Sequence, residues 1–254
     1  MALGLYSHAE GINTTTVEIA KGSHVEGTNT TAFGLSSHAE GESTVAQGNY
    51  SHAEGFKTLA ENIGSHAEGE ESESKGLYSH AEGKGLAVGD YSHAESSGTS
   101  GGNYSHAEGS GVTRKEYSHA EGENTYTFGI GAHTEGISGI AKGKASHAEG
   151  YRTYADKEAS HTEGVSSNLA NESIFTYYEN YYEPDLGGGT IPDIIVLPSN
   201  PLDLEISETI TSIDDINKAW KYNPFSIAYG EGSHVEGKDS LALGNYSHAE
   251  GNHT

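Results

Sequence analysis

Ser51-His52-Ala53-Glu54-Gly55-Phe56-Lys57-Thr58-Leu59-Ala60-Glu61-Asn62-Ile63-Gly64 is one period of a repeat that occupies most of this chain. It divides into two halves of seven. The preceding unit completes the second half as Thr44-Val45-Ala46-Gln47-Gly48-Asn49-Tyr50. Each half reads small-x-small-x-Gly-x-x. Five residues of period-two alternation predict a short strand, and glycine with the two residues after it predicts a turn. Glycine takes φ > 0 there without a Cβ clash. One 14-residue unit is therefore one coil with two strands and two corners, and a fixed short period stacks each coil on the next.

Working outward, the pentad Ser-His-Ala-Glu-Gly, intact or with one or two substitutions, occurs fourteen times and contains fourteen of the fifteen histidines. The histidine spacing is mostly 14 residues, with a run of 13 from His80 to His119. Alternation sorts the side chains of each coil into two sets. Ser51, Ala53, Thr44 and Ala46 point into a thin interior that admits only small residues. His52 and Glu54 point out of the first strand, Val45 and Gln47 out of the second. The outward pairs of the second strand vary freely (Thr31 and Phe33, Leu59 and Glu61, Glu73 and Lys75, Leu86 and Val88), whereas His and Glu of the first strand are constant in all fourteen copies. A solvated face tolerates drift, so the constant face is expected to meet something of fixed chemistry once per coil. The simplest such partner is another copy of the chain in register.

The expected intersubunit ladder consists of His8, Glu10, His24, Glu26, His38, Glu40, His52, Glu54, His66, Glu68, His80, Glu82, His93, Glu95, His106, Glu108, His119, Glu121, His133, Glu135, His147, Glu149, His161, Glu163, His234, Glu236, His248 and Glu250. Identical carboxylates stacked about 4.8 Å apart repel, and imidazoles from adjacent subunits of a cyclic bundle would relieve them at every layer. Ion-free hydrogen-bonded pairs are the preferred reading of this ladder. Zinc or nickel held by the same histidines is the alternative.

The composition fits a solenoid better than a conventional core. Only 33% of the 254 residues are hydrophobic, 35 are glycine, and the formal net charge is −24. Such acidity argues against nucleic acid and anionic membranes as partners. There is no cysteine, hence neither disulfide nor thiolate metal site. No stretch approaches the about 20 apolar residues of a membrane span. The first repeat starts within six residues of Met1, so no secretory leader is read here.

The repeat breaks in recognisable places. Two extra residues fall around Thr14 to Val17, the 13-residue units are expected to lose a residue from the second half, Ser96 replaces a pentad glycine, and Lys115 or Glu116 replaces a corner glycine. The large break divides the chain into β-roll repeats over 1–166, an insertion over 167–225 and resumed repeats over 226–254. All five prolines and the single tryptophan lie in the insertion, which reads as a small α+β subdomain with a short helix through Trp220. Its aromatic residues Tyr177, Tyr178, Tyr181, Tyr182 and Trp220 are the candidate ligand-binding platform, for instance for a glycan. The plainer reading makes them the core of that subdomain. Tyr residues preceding the pentad (Tyr6, Tyr50, Tyr78, Tyr91, Tyr104, Tyr117, Tyr246) sit at a corner and are expected to stack from coil to coil.

Ser-x-Ala-x-Gly-x-x-Ser/Thr-x-Ala-x-Gly over 14 residues resembles the head repeat of YadA-like trimeric autotransporter adhesins. The His/Glu form resembles SHAEG-type repeats of phage and prophage tail-fibre proteins. The resemblance covers roughly residues 3–166 and 226–254, and implies an all-β, left-handed parallel β-roll solenoid that is homotrimeric. Where this chain has His and Glu, that family commonly has Val and Ile, so the implied trimer contact changes from apolar to polar. The functional expectation is the structural and receptor-binding part of a trimeric fibre, in a phage or phage-like virion tail, that attaches to a cell-surface receptor alongside other fibre components. The alternatives are a head fragment of a bacterial surface adhesin and a ligand-free spacer. No enzyme is expected, because His and Glu are spread evenly rather than gathered into one constellation, and adjacent acids such as Asp214 and Asp215 read as a helix start. No cofactor is expected.

Overall fold

The computed structural model describes residues 1–165 and 226–252. The described residues form strands and turns and contain no helix, so none long and apolar enough to cross a membrane is present among them. Two compact units are distinguished, Met1–Thr134 and Glu135–Thr254.

In the first unit the strands His8–Ile12, His24–Thr28, His38–Glu42, His52–Phe56 and His66–Glu70 pair in parallel and in register. Histidine lies over histidine, glutamate over glutamate and glycine over glycine. A second sheet is built from two-residue strands such as Thr31–Ala32, Val45–Ala46 and Leu59–Ala60, also parallel. The β-solenoid with a coil of about 14 residues follows from the alternation read in the sequence. In the second unit His147–Tyr151 pairs with His161–Val165, which pairs directly with His234–Lys238. Thr153–Ala155 likewise pairs with Ser226–Ala228. The solenoid ladder thus passes from 165 to 226 without losing register.

The interior is as thin as the small residues require. Val25, Ala32, Ala39, Ala46, Ala53, Ala60 and Ala67 form one buried cluster. Ser37, Thr44, Ser51 and Thr58 are buried beside them. Alanine burial yields little hydrophobic stabilisation, so the stacked backbone hydrogen bonds are the main cohesion between coils. The hydroxyls of Thr30, Thr44, Thr58 and Thr125 have no hydrogen-bond partner, which marks these residues as chosen for size.

Three details differ from the sequence reading. In the 14-residue coils the pentad glycine lies inside the first strand, not at the turn, whereas Gly83 and Gly109 of the 13-residue coils stay in the turn. Gly55 has φ 107°, and a Cβ on it would stand 2.1 Å from the carbonyl oxygen of Gly69. Only glycine permits that approach. The corners instead place non-glycine residues in the left-handed region, among them Asn13, Ser43 and Lys57 after the first strand and Tyr50, Tyr78 and Tyr91 before the pentad. Secondly, the 13-residue units lose their residue at the first corner. Gly85 pairs with Glu73 as Ser72 pairs with Leu59, and Glu82 to Gly85 closes as a tight turn. The first strand there shortens to His80–Ala81. Thirdly, the extra residues of the first coil are Glu18 and Ile19, just beyond the place expected, because Val17 occupies the ladder position of Phe33.

The replacements at 96 and 115 fall where the repeat demands. Ser96 takes φ 59°, and Lys115 stacks on Gly102 as Gly102 stacks on Gly89. The corner tyrosines stack where they are consecutive. Tyr78, Tyr91, Tyr104 and Tyr117 have ring centroids 5.4, 5.0 and 5.2 Å apart.

Candidate functional site

The outward side of the first strand carries one imidazole and one carboxylate per coil, two residues apart on the same face. Parallel in-register pairing places each imidazole above the next. From His24 to His133 consecutive rings stack with centroids 4.7–4.9 Å apart and interplanar angles of 0–15°. In the second unit His147, His161, His234 and His248 stack at 4.7–4.8 Å. His161 and His234 are neighbours in space although 73 positions apart in the chain. In the first unit His8, at the first coil, departs from the stack and meets His24 edge to face at 75°.

Sequence reasoning paired imidazoles with carboxylates of other subunits. Within one chain the column is first an imidazole stack. That contact was legible from the period, since identical residues in register must superpose. Several rings also stand beside the carboxylate of their own strand. Nε2 to Oε2 is 3.5 Å in His38–Glu40 and His52–Glu54, 3.7 Å in His66–Glu68 and 4.0 Å in His147–Glu149. These separations are too long for good hydrogen bonds. His106 and Glu95 do bond, across coils, with Nε2 3.0 Å from Oε1. The side chains are about one-third exposed in mid-column, 35% and 36% for His52 and Glu54, against 64% and 76% for His8 and Glu10 at its start.

This packing moves the titrations. Burial, then the flanking imidazoles, holds His38, His66, His93 and His161 below the ordinary histidine value, against an opposing pull from the nearby glutamates. Burial, then hydrogen bonding to neighbouring glutamates, raises Glu68 and Glu108. For Glu95 burial pushes upward, but hydrogen bonds involving Glu108, His106 and Glu82 outweigh it and leave the group lowered. At His38, His66, His93 and His161 the face thus sets imidazoles that favour the neutral form beside crowded carboxylates.

Two roles escaped sequence reasoning. The pentad serine closes the corner: Ser51 Oγ donates to the Gly48 carbonyl at 2.7 Å, and Ser23, Ser37, Ser79, Ser92 and Ser233 do the same in their coils. The signal was the constancy of serine where alanine also fits. The Asn or Asp before the corner tyrosine accepts a backbone N–H from the neighbouring coil, as in Leu35 to Asn49 (2.9 Å) and Leu77 to Asp90 (2.8 Å). The candidate platform Tyr177, Tyr178, Tyr181, Tyr182 and Trp220, and the insertion over 167–225 that contains it, lie outside the described residues.

Comparison with known proteins agrees with this construction. No curated protein matches the chain. The family model of the YadA head domain repeat matches residues 25–55, 225–247 and 236–254. The matched segments carry the stacked His/Glu strands His38–Glu42, His234–Lys238 and His248–Asn252, and the first segment begins just after His24. The chain thus contains YadA head domain repeats, folded as a parallel β-solenoid.

Proposed function

We propose that this chain is a structural and attachment element of an adhesin-like homotrimeric fibre, with the His/Glu face of each coil turned toward its copies. The observation that carries this is the contrast between two outward faces of one solenoid. One keeps His and Glu in every copy, and the other drifts. Electrostatics points the same way. Carboxylates about 4.8 Å apart repel by about 0.9 kcal/mol per neighbouring pair even in water, and a formal charge of −24 gives no relief from within. Close packing of several such faces needs the imidazoles between the carboxylates, which the constant pairing supplies. The head-repeat match supports the fibre reading.

The fibre has two candidate settings. The SHAEG form of the repeat favours a phage or phage-like tail fibre, which would sit in the virion and grip a bacterial receptor. The YadA head repeat favours a bacterial surface adhesin. In both, the surface that selects the receptor is assigned to the insertion over 167–225 and its aromatic residues. Binding of fluorescently labelled protein to a panel of bacterial cells and to mammalian epithelial cells separates the readings. Retention on bacteria supports the tail fibre, and retention on epithelial cells or matrix supports the adhesin. Attachment unchanged after deletion of 167–225 would remove the insertion from the account, and no attachment to any surface would leave a spacer.

A further inference from the structure

We propose that the histidine–glutamate face binds a row of divalent transition-metal ions of the zinc and nickel class, each taken by the imidazole Nε2 and the carboxylate of one coil. The bite lies within a single chain, so the proposal does not depend on the oligomeric state.

The first support is distance. In His38–Glu40, His52–Glu54, His66–Glu68 and His24–Glu26 the Nε2 and Oε2 atoms are 3.5, 3.5, 3.7 and 3.8 Å apart. Two ligands each about 2.0–2.2 Å from a shared zinc ion stand roughly 3.3–3.6 Å apart at angles near tetrahedral. His38–Glu40 and His52–Glu54 are thus spaced as ligands of a common ion, the other two pairs lie within about 0.2 Å of that range, and all four lie beyond a good hydrogen bond. His106 with Glu95, at 3.0 Å, shows the shorter separation of an ion-free pair on the same face.

The second support is unmet bonding capacity. The Nε2 atoms of His38, His52, His66, His80, His93, His161 and His234 are buried and have no hydrogen-bond partner. Unpartnered polar atoms are costly, and a cation with the adjacent carboxylate would satisfy them. A third ligand atom is in reach: His38, Glu40 and His52 present donors within 4.8 Å of one another, and the same holds for His66, Glu68 and His80. The stacked rings are nearly parallel, so their lone pairs run side by side. A second imidazole joins an ion only by turning out of its stack. Each ion therefore keeps open positions for water or for a ligand from another copy. Finally, the carboxylate column and the net charge of −24 offset the mutual repulsion of cations held in neighbouring coils.

Imidazole–carboxylate pairs select borderline metals over hard ones, whereas a merely acidic surface collects magnesium and calcium equally well. The test is equilibrium dialysis of the intact chain against zinc chloride, with elemental analysis, in the presence of a hundredfold excess of magnesium. Several zinc ions per chain, undisplaced by magnesium, are expected. X-ray absorption of the zinc-loaded protein should show imidazole scattering. Replacing alternate histidines (His24→Asn, His52→Asn, His80→Asn, His106→Asn, His133→Asn, His161→Asn, His248→Asn) should roughly halve the bound zinc while circular dichroism keeps the β signature. If that variant does not fold, the absorption spectrum of the wild type still decides. Zinc lost to magnesium, an oxygen-only coordination shell, or undiminished zinc in the folded variant would each overturn the proposal.

Discussion

Gly55 and Gly131 both have positive φ, yet alanine at the two positions is expected to act very differently. Gly55 lies in a strand at φ 107°, and an added Cβ would stand 2.1 Å from the Gly69 carbonyl oxygen. Relieving that contact needs about 1 Å of separation between strands that are only about 4.8 Å apart. The shift sacrifices the two or so nearest ladder hydrogen bonds at about 1 kcal/mol each, and left-handed backbone strain adds about 1–2 kcal/mol. Gly55→Ala should therefore cost about 3–4 kcal/mol. Gly131 lies at a corner at φ 63°, and nothing stands within 4 Å of an added Cβ. Ala145 and Ala159 adopt φ 53° and 55° at the equivalent corner. Part of the strain there is offset by the smaller entropy of the unfolded alanine chain, so Gly131→Ala should cost less than about 1 kcal/mol. Repeat arrays open locally, so amide hydrogen exchange read peptide by peptide is the suitable assay. Exchange in His52–Phe56 and His66–Glu70 should accelerate about a hundredfold or more in Gly55→Ala, and by less than tenfold around residue 131 in Gly131→Ala. Equal acceleration in the two variants would refute the claim that close approach between strands, rather than backbone freedom alone, fixes the pentad glycine.

Three further outcomes are expected. Ser51→Ala removes the 2.7 Å bond to the Gly48 carbonyl and should cost about 1 kcal/mol in denaturant unfolding, while Ala132→Ser, which restores the usual pentad residue, should gain a similar amount. No change in either direction would deny the serine its corner-closing role. Thr58→Val replaces a buried hydroxyl that has no partner with a methyl group of the same shape, and should stabilise its coil by about 0.5–1 kcal/mol; destabilisation would mean that the hydroxyl is bonded. On acidification, His38, His66, His93 and His161, held below the usual value of 6.5, bind fewer protons in the folded coil than in the unfolded chain. Stability is then complete above about pH 6.5 and falls as pH drops through the lower folded value. Glu68 and Glu108, raised in the folded state, work in the opposite sense and return part of the loss at lower pH. Urea midpoints measured from pH 8 to pH 5 should fall, and a rise over that interval would contradict the histidine column.

Much of the fold is legible because the repeat leaves few choices. Alternation in Ser51-His52-Ala53-Glu54 sends serine and alanine inward and His and Glu outward, and the 14-residue period stacks equivalent positions. What escaped the sequence depends on three-dimensional closeness. The turn assigned to Gly55 is really a strand position because the next coil's glycine lies against it, a fact that no local pattern carries. The corners tolerate Tyr50, Lys57 and Asn13 in left-handed conformations because stacked backbone hydrogen bonds hold them there, overriding local preference. The lost residue of the 13-residue coils was misplaced because Gly85 can be read either as a turn glycine or as an inward small residue, and only the pairing of Glu73 with Leu86 decides. At the site, the composition of the face and the superposition of its histidines were readable, but the ring orientations and the near-contact distances depend on three-dimensional packing that no local pattern carries.

The fibre account is tested most directly by the mass of the folded protein in solution, measured by multi-angle light scattering at neutral pH. Association through the constant face predicts a particle close to three times the 26.7 kDa chain mass, and loss of that particle when outward histidines of the mid-column coils are replaced by lysine. A well-folded species of 26.7 kDa over the whole accessible concentration range would contradict it.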